Sequence, residues 1–126
     1  MFEISVETHF YASHELELGD GLKEPSHFHD WSVTAEVSSE NLNNIGIVMN
    51  FHKLKELLEN ITSKFNKKNL NKIKYFQKIN PTAENVAQFI FDKLQPQLPE
   101  NVKLSGISVI EEAGCIAKYR RQVKPV

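Results

Sequence analysis

The sequence contains a single cysteine, Cys115, among its 126 residues. No disulfide can therefore form within the chain, which is consistent with a reducing compartment. No stretch approaches the roughly 18 apolar residues of a membrane-spanning helix. Residues 1–6 have neither a basic start nor an apolar run, so we predict no signal peptide. These absences favour the cytoplasm as the location and exclude a membrane partner.

An excess of charge of one sign is also lacking, because the formal net charge is −1 at pH 7. A charge this small predicts neither a polyanionic partner nor an acidic tail. Lysines cluster between Asn66 and Lys78, but no aromatic platform accompanies them. We interpret them as a solvated surface and expect no nucleic-acid partner. With 40% hydrophobic and 25% charged residues, the composition is typical of one globular domain spanning residues 1–126.

Three histidines share the registers that carry the apolar residues of two predicted strands. Apolar residues alternate along the segment Phe2–His14, and His14 falls in the inward register. His27 and His29 share the inward register of the next strand with Trp31. If the two strands pair antiparallel, His14 lies beside His27 and His29, so the three imidazoles converge near one rim of the sheet.

This arrangement predicts a zinc site formed by His14, His27 and His29. Neutral imidazole nitrogens bind zinc, and three protein ligands leave a fourth position open for water or substrate, as in catalytic sites. The alternative is that these are core histidines bonded to backbone carbonyls. The pattern favours the metal but leaves this alternative open.

Two amphipathic helices are predicted in the middle of the chain. Asn50 is a good N-cap for a helix that begins near Phe51, where apolar residues recur every three or four positions. A second helix is predicted from Asn80, as N-cap, and Pro81, as first helical residue, to Leu94.

Two short strands are predicted to close the chain, over Val102–Glu111 and Cys115–Arg120, with a turn at residues 112–114. Cys115 is predicted to be a small buried residue. The order strand, strand, helix, helix, strand, strand predicts an α+β fold, with an antiparallel four-stranded sheet covered on one face by two helices. Such a sheet has open edges, which favours association between subunits.

Several motifs of this sequence resemble those of the 6-pyruvoyl tetrahydropterin synthase and 6-carboxytetrahydropterin synthase family, over nearly the whole chain. The matching segments are Phe10–His14 (FYASH, similar to F-x-A-x-H), His27–Trp31 (HFHDW, similar to H-G-H-N-Y), Gly46–Phe51 (GIVMNF, similar to G-M-V-x-D-F) and Asn80–Asn85 (NPTAEN, similar to a helix-starting motif). Phe28 stands where the family motif has glycine.

The resemblance implies the tunnelling fold, zinc as cofactor, and a homo-oligomer, trimer or hexamer, with sites at subunit interfaces. It also implies a small pterin-like ligand. Glu111 falls at the glutamate that binds the pterin ring, where a carboxylate can accept two charge-assisted hydrogen bonds. Thr82 falls at a helix start that contributes pterin contacts. From the residues alone, Glu111 is an ordinary strand-end carboxylate and Thr82 an ordinary first-turn residue.

The sequence departs from the family at the catalytic proton relay. The loop 22–26 has no cysteine, and Asn66 and Lys67 align with the family's Asp-His pair. Some family members carry glutamate in this loop and cleave the pterin side chain to a hydroxymethyl product, which makes Glu24 the candidate catalytic base. Its alternative reading is an exposed loop carboxylate. Lys23 and Lys67 are candidates for binding a substrate phosphate, or are simply solvated.

We therefore predict a zinc-dependent protein similar to 6-pyruvoyl and 6-carboxytetrahydropterin synthases, a lyase or synthase acting on a dihydropterin side chain with altered chemistry. The alternative is a non-catalytic oligomer that binds a pterin or purine and keeps the zinc site.

Overall fold

The computed structural model describes residues 1–121 as an α+β fold in which two α-helices cover one face of a mixed five-stranded sheet. The strands are β1 (Phe2–Gly19), β2 (Leu22–Ser39), β3 (Lys68–Asn69), β4 (Lys103–Glu112) and β5 (Cys115–Tyr119), and the helices are α1 (Phe51–Thr62) and α2 (Ala83–Leu94). Short 3-10 helices cover Leu70–Lys72, Lys74–Gln77 and Gln95–Gln97. The strand order is β3, β1, β2, β4, β5. None of the helices in this part of the chain is long and apolar enough to cross a membrane.

The long β1 and β2 strands form an antiparallel hairpin that extends beyond the predicted segments. Asp20 and Gly21 make a two-residue turn between the paired Gly19 and Leu22, and their φ angles are 52° and 76°. Positive φ at both central residues is the type I′ signature, whose twist matches the twist of the flanking strands. The turn explains why both strands continue past His14, where the apolar alternation fades.

The core lies between the helices and the inward face of the sheet. Phe10 and Trp31 stack there with ring centroids 5.5 Å apart, and the Trp31 indole N–H donates to the Ala12 carbonyl at 3.2 Å. Each fully buried large apolar side chain contributes about 1.5–3 kcal/mol. The most deeply buried side chains also include Phe65, Phe91, Leu54, Leu58, Leu70, Ile90, Leu94, Ile107 and Val33.

The predicted antiparallel sheet of four strands is wrong in one respect, because a fifth strand makes the sheet mixed. Lys68 and Asn69 form β3, which runs parallel to β1 opposite Ala12 and Ser13. Lys67, with φ of 61°, turns the chain into this register, and its backbone N–H donates to the Tyr11 carbonyl. Two polar residues carry no period-two signal, so the sequence pattern could not reveal this strand.

Asparagine side chains complete the hydrogen bonding along the edge of β1 that pairs with β3. Asn66 accepts from the Tyr11 backbone N–H at 2.9 Å. Asn71 both accepts from and donates to the backbone of Glu15, at 2.7 and 2.9 Å. Asn80 bonds the backbone of Glu17 in the same two-way manner, at 3.1 and 2.9 Å. Three amides therefore substitute for a neighbouring strand, since each presents the donor and acceptor of a peptide group.

Both predicted helices exist, but the start of the second differs from the prediction. Asn50 caps α1 as predicted, and its side chain accepts from the backbone N–H groups of the second and third helical residues. Helix α2 begins at Ala83, and its N-cap is Thr82, whose hydroxyl accepts from the Asn85 N–H at 3.1 Å. Asn80 is not the cap because its amide is bonded to β1.

The closing hairpin forms as predicted, with Ala113 and Gly114 in the turn and Glu112 as the last residue of β4. A register shift lies between Ile110 and Glu112. The prediction that Cys115 is buried is wrong, because its side chain is exposed at the start of β5. The turn ends there, so Cys115 lies outside the helix-covered core.

The amide pairing at the β1 edge gives a stability prediction. Asn71→Ala removes both hydrogen bonds to Glu15, so we expect the free energy of unfolding to fall by about 1–3 kcal/mol. Urea denaturation measures this change in the free energy of unfolding. Asn60→Ala, at an exposed position of α1, is the control and should change stability by no more than about 0.5 kcal/mol. Equal effects of the two substitutions would contradict an edge-pairing role.

Candidate metal centre

His14 is the most buried residue of the candidate site, with 1% of its surface exposed. Its Nδ1 is 2.7 Å from the carbonyl oxygen of Pro81, in the segment before α2. A carbonyl can only accept, so Nδ1 carries a proton, and a neutral ring in this tautomer has its lone pair on Nε2. The ring also meets the face of Trp31 edge-on at 4.9 Å. These two contacts fix the direction of Nε2.

The register of the hairpin brings the other two histidines beside it, as the sequence predicts. His14 lies directly opposite His27, and Ala12 is opposite His29. The ring centroids of His27 and His29 are 4.2 Å apart, and those of His14 and His29 are 5.9 Å apart. His27 is exposed, and its Nδ1 is 2.9 Å from the Pro25 carbonyl oxygen. His27 is not among the residues whose ligand atoms lie within 4.8 Å of one another, which are His14, His29 and Glu111.

Glu111 joins this group from β4, which pairs with β2 on the edge opposite β1. Ile107 and Val109 face the core along β4, and the contacts of Glu111, two residues further, show that it lies on the same face as the histidines. Its Oε1 contacts His14 Nε2 and is 3.6 Å from His29 Nε2. From the sequence, Glu111 is expected to bind the pterin-like ligand and not to belong to the metal group, because the pairing of β4 with β2 is needed to bring it here.

The group contains donor atoms of the kinds that a cation site uses. With Nδ1 protonated, His14 Nε2 and a carboxylate oxygen are both acceptors, so their contact requires a shared proton or a cation between them. The ligand atoms of His14, His29 and Glu111 all lie within 4.8 Å of one another. Imidazole nitrogens with a carboxylate oxygen are ligands that zinc takes, and the carbonyl bonds to the other ring nitrogens are the usual outer support. His14 and His27 are thus each bonded to a backbone carbonyl through Nδ1, as the alternative reading of the sequence expects, and these bonds do not use their Nε2 atoms.

Glu24 reaches the histidine face through a β-bulge. His27 is opposite His14, and Glu24 is opposite Leu16, so three steps along β2 match two steps along β1. Pro25 and Ser26 supply the extra residue, and a proline without an N–H suits a bulge. Opposed residues share a face of the sheet, so the bulge turns Glu24 to the same face as His27. Without it, the three-residue spacing would put them on opposite faces.

The remaining predicted residues are engaged elsewhere. The Thr82 hydroxyl caps α2. Lys23 is 3.5 Å from Glu15 across exposed surface, and Lys67 is exposed on the β3 side of β1. Asn66 holds the Tyr11 backbone. Within residues 1–121, no side-chain hydrogen bond or ion pair joins these four residues to the histidine group.

A groove opens beside the metal group, at the start of α2 and along β5. Glu111 is shared between this groove and the histidines. The groove is lined by Ala83, Glu84, Glu111, Cys115, Ile116, Ala117 and Lys118. The site therefore consists of a candidate metal group at its base and an open groove beside it.

Comparison with known proteins gives consistent matches that include the strands and helices of this site. The sequence model of the 6-pyruvoyl tetrahydropterin synthase family matches residues 3–122. The chain is 34% identical over 102 residues to dihydroneopterin monophosphate aldolase of Pyrococcus furiosus, covering 81% of this chain and 82% of that protein. It is 36% identical over 96 residues to human 6-pyruvoyl tetrahydrobiopterin synthase, covering 75% and 66% of the two chains. The structure of Caenorhabditis elegans 6-pyruvoyl tetrahydropterin synthase superposes with a TM-score of 0.82 at 22% identity, covering 96% of both chains.

The fold and the site define an α+β protein with a histidine and carboxylate group that can hold a metal, at the rim of its sheet. The matches then specify which group of proteins this is. The chain belongs to the 6-pyruvoyl tetrahydropterin synthase family, a family of pterin metabolism, and the resemblance inferred from its motifs is confirmed.

Proposed function

We propose that this protein is a zinc-dependent aldolase that cleaves the side chain of a dihydropterin between its first and second carbons. The observation that carries this proposal is the bulge at Pro25 and Ser26, which turns Glu24 to the face of the histidine group. The identity to an archaeal dihydroneopterin monophosphate aldolase supports the same reaction class. A glutamate is also the residue described as catalytic in a Plasmodium vivax enzyme of this fold, which superposes with a TM-score of 0.78 at 17% identity.

Zinc is the metal that we propose for the group. The donors that we propose are His14, His27 and His29. The ligand atoms of His14, His29 and Glu111 lie within 4.8 Å of one another, and the His27 ring centroid is 4.2 Å from that of His29. Bound zinc would act as a Lewis acid toward the side-chain oxygens of the substrate. The buried side of the group, against Trp31, excludes water from one flank and strengthens electrostatic interactions.

Glu24 is the proposed base for the cleavage step. Its carboxylate takes the proton of the hydroxyl on the second side-chain carbon, that C–O becomes a carbonyl, and the bond between the first and second carbons breaks. The electron pair passes into the C=N bond of the dihydropterin ring. Protonation of the first carbon by Glu24 then restores the ring and gives a hydroxymethyl product and a two-carbon aldehyde. Glu24 is one cross-strand pair, or about 7 Å along the strand, beyond His14, which leaves room for the substrate side chain.

The altered chemistry is supported by what replaces the family's proton relay. The loop 22–26 has no cysteine, and Asn66 uses its side chain to pair the edge of β1. An amide and a surface lysine cannot activate a thiolate in the way that an aspartate and histidine pair can. We therefore propose that formation of 6-pyruvoyl or 6-carboxy products is weak or undetectable.

The zinc proposal predicts the metal content of purified variants. We expect about one zinc per chain in the unmodified protein and a strong loss in His27→Ala and in His29→Ala, because two imidazoles leave a poor tetrahedral site. Elemental analysis measures the zinc content of each purified variant. His9→Ala is the control, since His9 is on the outer face of β1 beside Glu7. Full zinc content in both site variants would reject the assignment.

The base proposal predicts the products formed from dihydroneopterin monophosphate and triphosphate. The unmodified protein should release a hydroxymethyl pterin, and Glu24→Gln should lower the rate by ~10²- to 10⁴-fold, the usual contribution of a general base, while zinc stays bound. Glu17→Gln, on the same hairpin and exposed, should retain activity. Robust 6-carboxytetrahydropterin formation would overturn the altered chemistry. Pterin binding without any turnover would favour the non-catalytic alternative.

The open part of the β1 edge predicts assembly. The amides and β3 cover the edge from Tyr11 to Glu17, and residues 3–9 of the same edge face no strand among residues 1–121. We expect a trimer or hexamer in sedimentation at micromolar concentration, with pairing along this open edge. Ser5→Pro removes one outward N–H that β2 does not use, so it should weaken assembly but spare the fold. Val6→Pro, at a residue that pairs inward, should unfold the hairpin. A monomeric unmodified protein would contradict the proposal.

A further inference from the structure

Residues 60–83 form a lysine segment that contains no carboxylate. The segment has six lysines and no aspartate or glutamate, in a chain whose net charge is −1. All six lysines are exposed, and within residues 1–121 none of them forms an ion pair. They are Lys64, Lys67, Lys68, Lys72, Lys74 and Lys78. The lysine segment is therefore a positively charged surface whose charge is available to an anion.

Lys78 lines a cleft beside the histidine group. The residues around this cleft are Glu17, Asn71, Phe76, Gln77, Lys78, Ile79, Asn80 and Pro81. Pro81 is also the residue whose carbonyl oxygen is bonded to His14 Nδ1. Glu17 follows the residue of β1 that lies opposite Glu24. The cleft thus adjoins both the candidate metal group and the proposed base.

The polar groups of the cleft suit an anion with several oxygens. Glu17 also lines the cleft, but within residues 1–121 its carboxylate forms no ion pair with Lys78. The Gln77 amide donates to a backbone carbonyl at 3.4 Å, which uses one of its two N–H groups. Asn71 and Asn80 use their amides on the backbone of β1. An ammonium with three donors, beside an amide N–H, matches the oxygens of a phosphate group.

The groove, the histidines and the cleft follow one another across the sheet. The groove lies along β4 and β5, the histidines lie on β1 and β2, and the cleft lies at the edge of β1. The proposed substrate has its parts in the same order, because its side chain joins a ring to a terminal third carbon. A ligand with its ring in the groove and its side-chain oxygens at the histidines therefore directs its third carbon toward the cleft.

We propose that the cleft at Lys78 binds the phosphate group of a dihydropterin that carries a phosphate ester on its third side-chain carbon. This inference rests on the proposed aldolase function and deepens it, since it assigns the far end of the substrate. The cleft volume of about 150 Å³ is several times the roughly 30 Å³ share of one water molecule, so a single phosphate group fits. The lysine segment raises the local concentration of this anion. After cleavage the phosphate stays on the two-carbon aldehyde, so separate parts of the site hold the two products.

Binding of neopterin and of neopterin monophosphate tests this proposal without any turnover. These oxidised pterins differ only in the phosphate, and their fluorescence reports binding. The unmodified zinc-loaded protein should bind the monophosphate about tenfold or more tightly than neopterin, the usual effect of a charge-assisted contact. Lys78→Gln should bind the two about equally, and Lys78→Arg should keep most of the preference. Lys64→Gln, an exposed lysine of the same segment outside the cleft, is the matched control and should keep the full preference.

The same measurement on metal-free protein separates Lys78 from the metal as the partner of the phosphate. The preference for the monophosphate should survive removal of zinc. A preference that disappears with zinc but persists in Lys78→Gln would assign the phosphate to the metal and overturn the proposal. Equal binding of the two pterins by the unmodified protein would overturn it as well.

Turnover distinguishes this proposal from the proposed reaction. A protein that prefers the monophosphate through Lys78 but cleaves no dihydropterin would reject the aldolase reaction and leave the cleft assigned to phosphate. Aldolase activity with the same kcat/KM for dihydroneopterin and for its monophosphate would reject the cleft assignment and leave the reaction intact.

Discussion

The site depends on the register of the β1 and β2 hairpin. The turn at Asp20 and Gly21 starts the pairing, and the bulge at Pro25 and Ser26 corrects it before the strands reach His14 and His27. A slip of one residue would move every side chain of a strand to the other face of the sheet. The histidines would then leave the core side, and the tryptophan that follows them would lose its place in the core. The candidate metal group and the core are therefore specified by the same register.

His14 links this hairpin to the rest of the chain. Its Nδ1 is bonded to the Pro81 carbonyl before α2, its ring meets Trp31, and its Nε2 meets Glu111 of β4. A residue that is 1% exposed and bonded through both ring nitrogens cannot change its direction without disturbing three segments of the fold. This explains how a site at the rim of a sheet stays ordered: its central histidine belongs to the core, His29 and Glu111 are partly buried, and His27 is exposed.

Much of the site could be predicted because strand periodicity is local. The alternation that carries Phe10 and Trp31 inward also carries the histidines, so their convergence follows from antiparallel pairing alone. Strand β3 could not be predicted, since its pairing partners are chosen by a turn at Lys67 and by asparagine amides distant in sequence. The contact between Glu111 and His14 joins residues 97 positions apart, and nothing in the local pattern of β4 indicates it. Asn80 and Thr82 both fit the preference for an N-cap, so the sequence alone does not show which of them caps α2. The contact of Asn80 with β1 decides it, because that contact uses the Asn80 amide.

Phe28 shows why the departure from the family's glycine leaves the histidine face unchanged. It lies between His27 and His29, and side chains alternate along a strand, so its ring projects to the opposite face of the sheet. There it stacks on Tyr11 with ring centroids 4.8 Å apart, and both rings are about half exposed. The stack packs β1 against β2 beside the pair formed by His14 and His27, on the face opposite the candidate metal group. A large residue at this position therefore supports the register from outside, and a small residue would leave that support to the backbone hydrogen bonds alone.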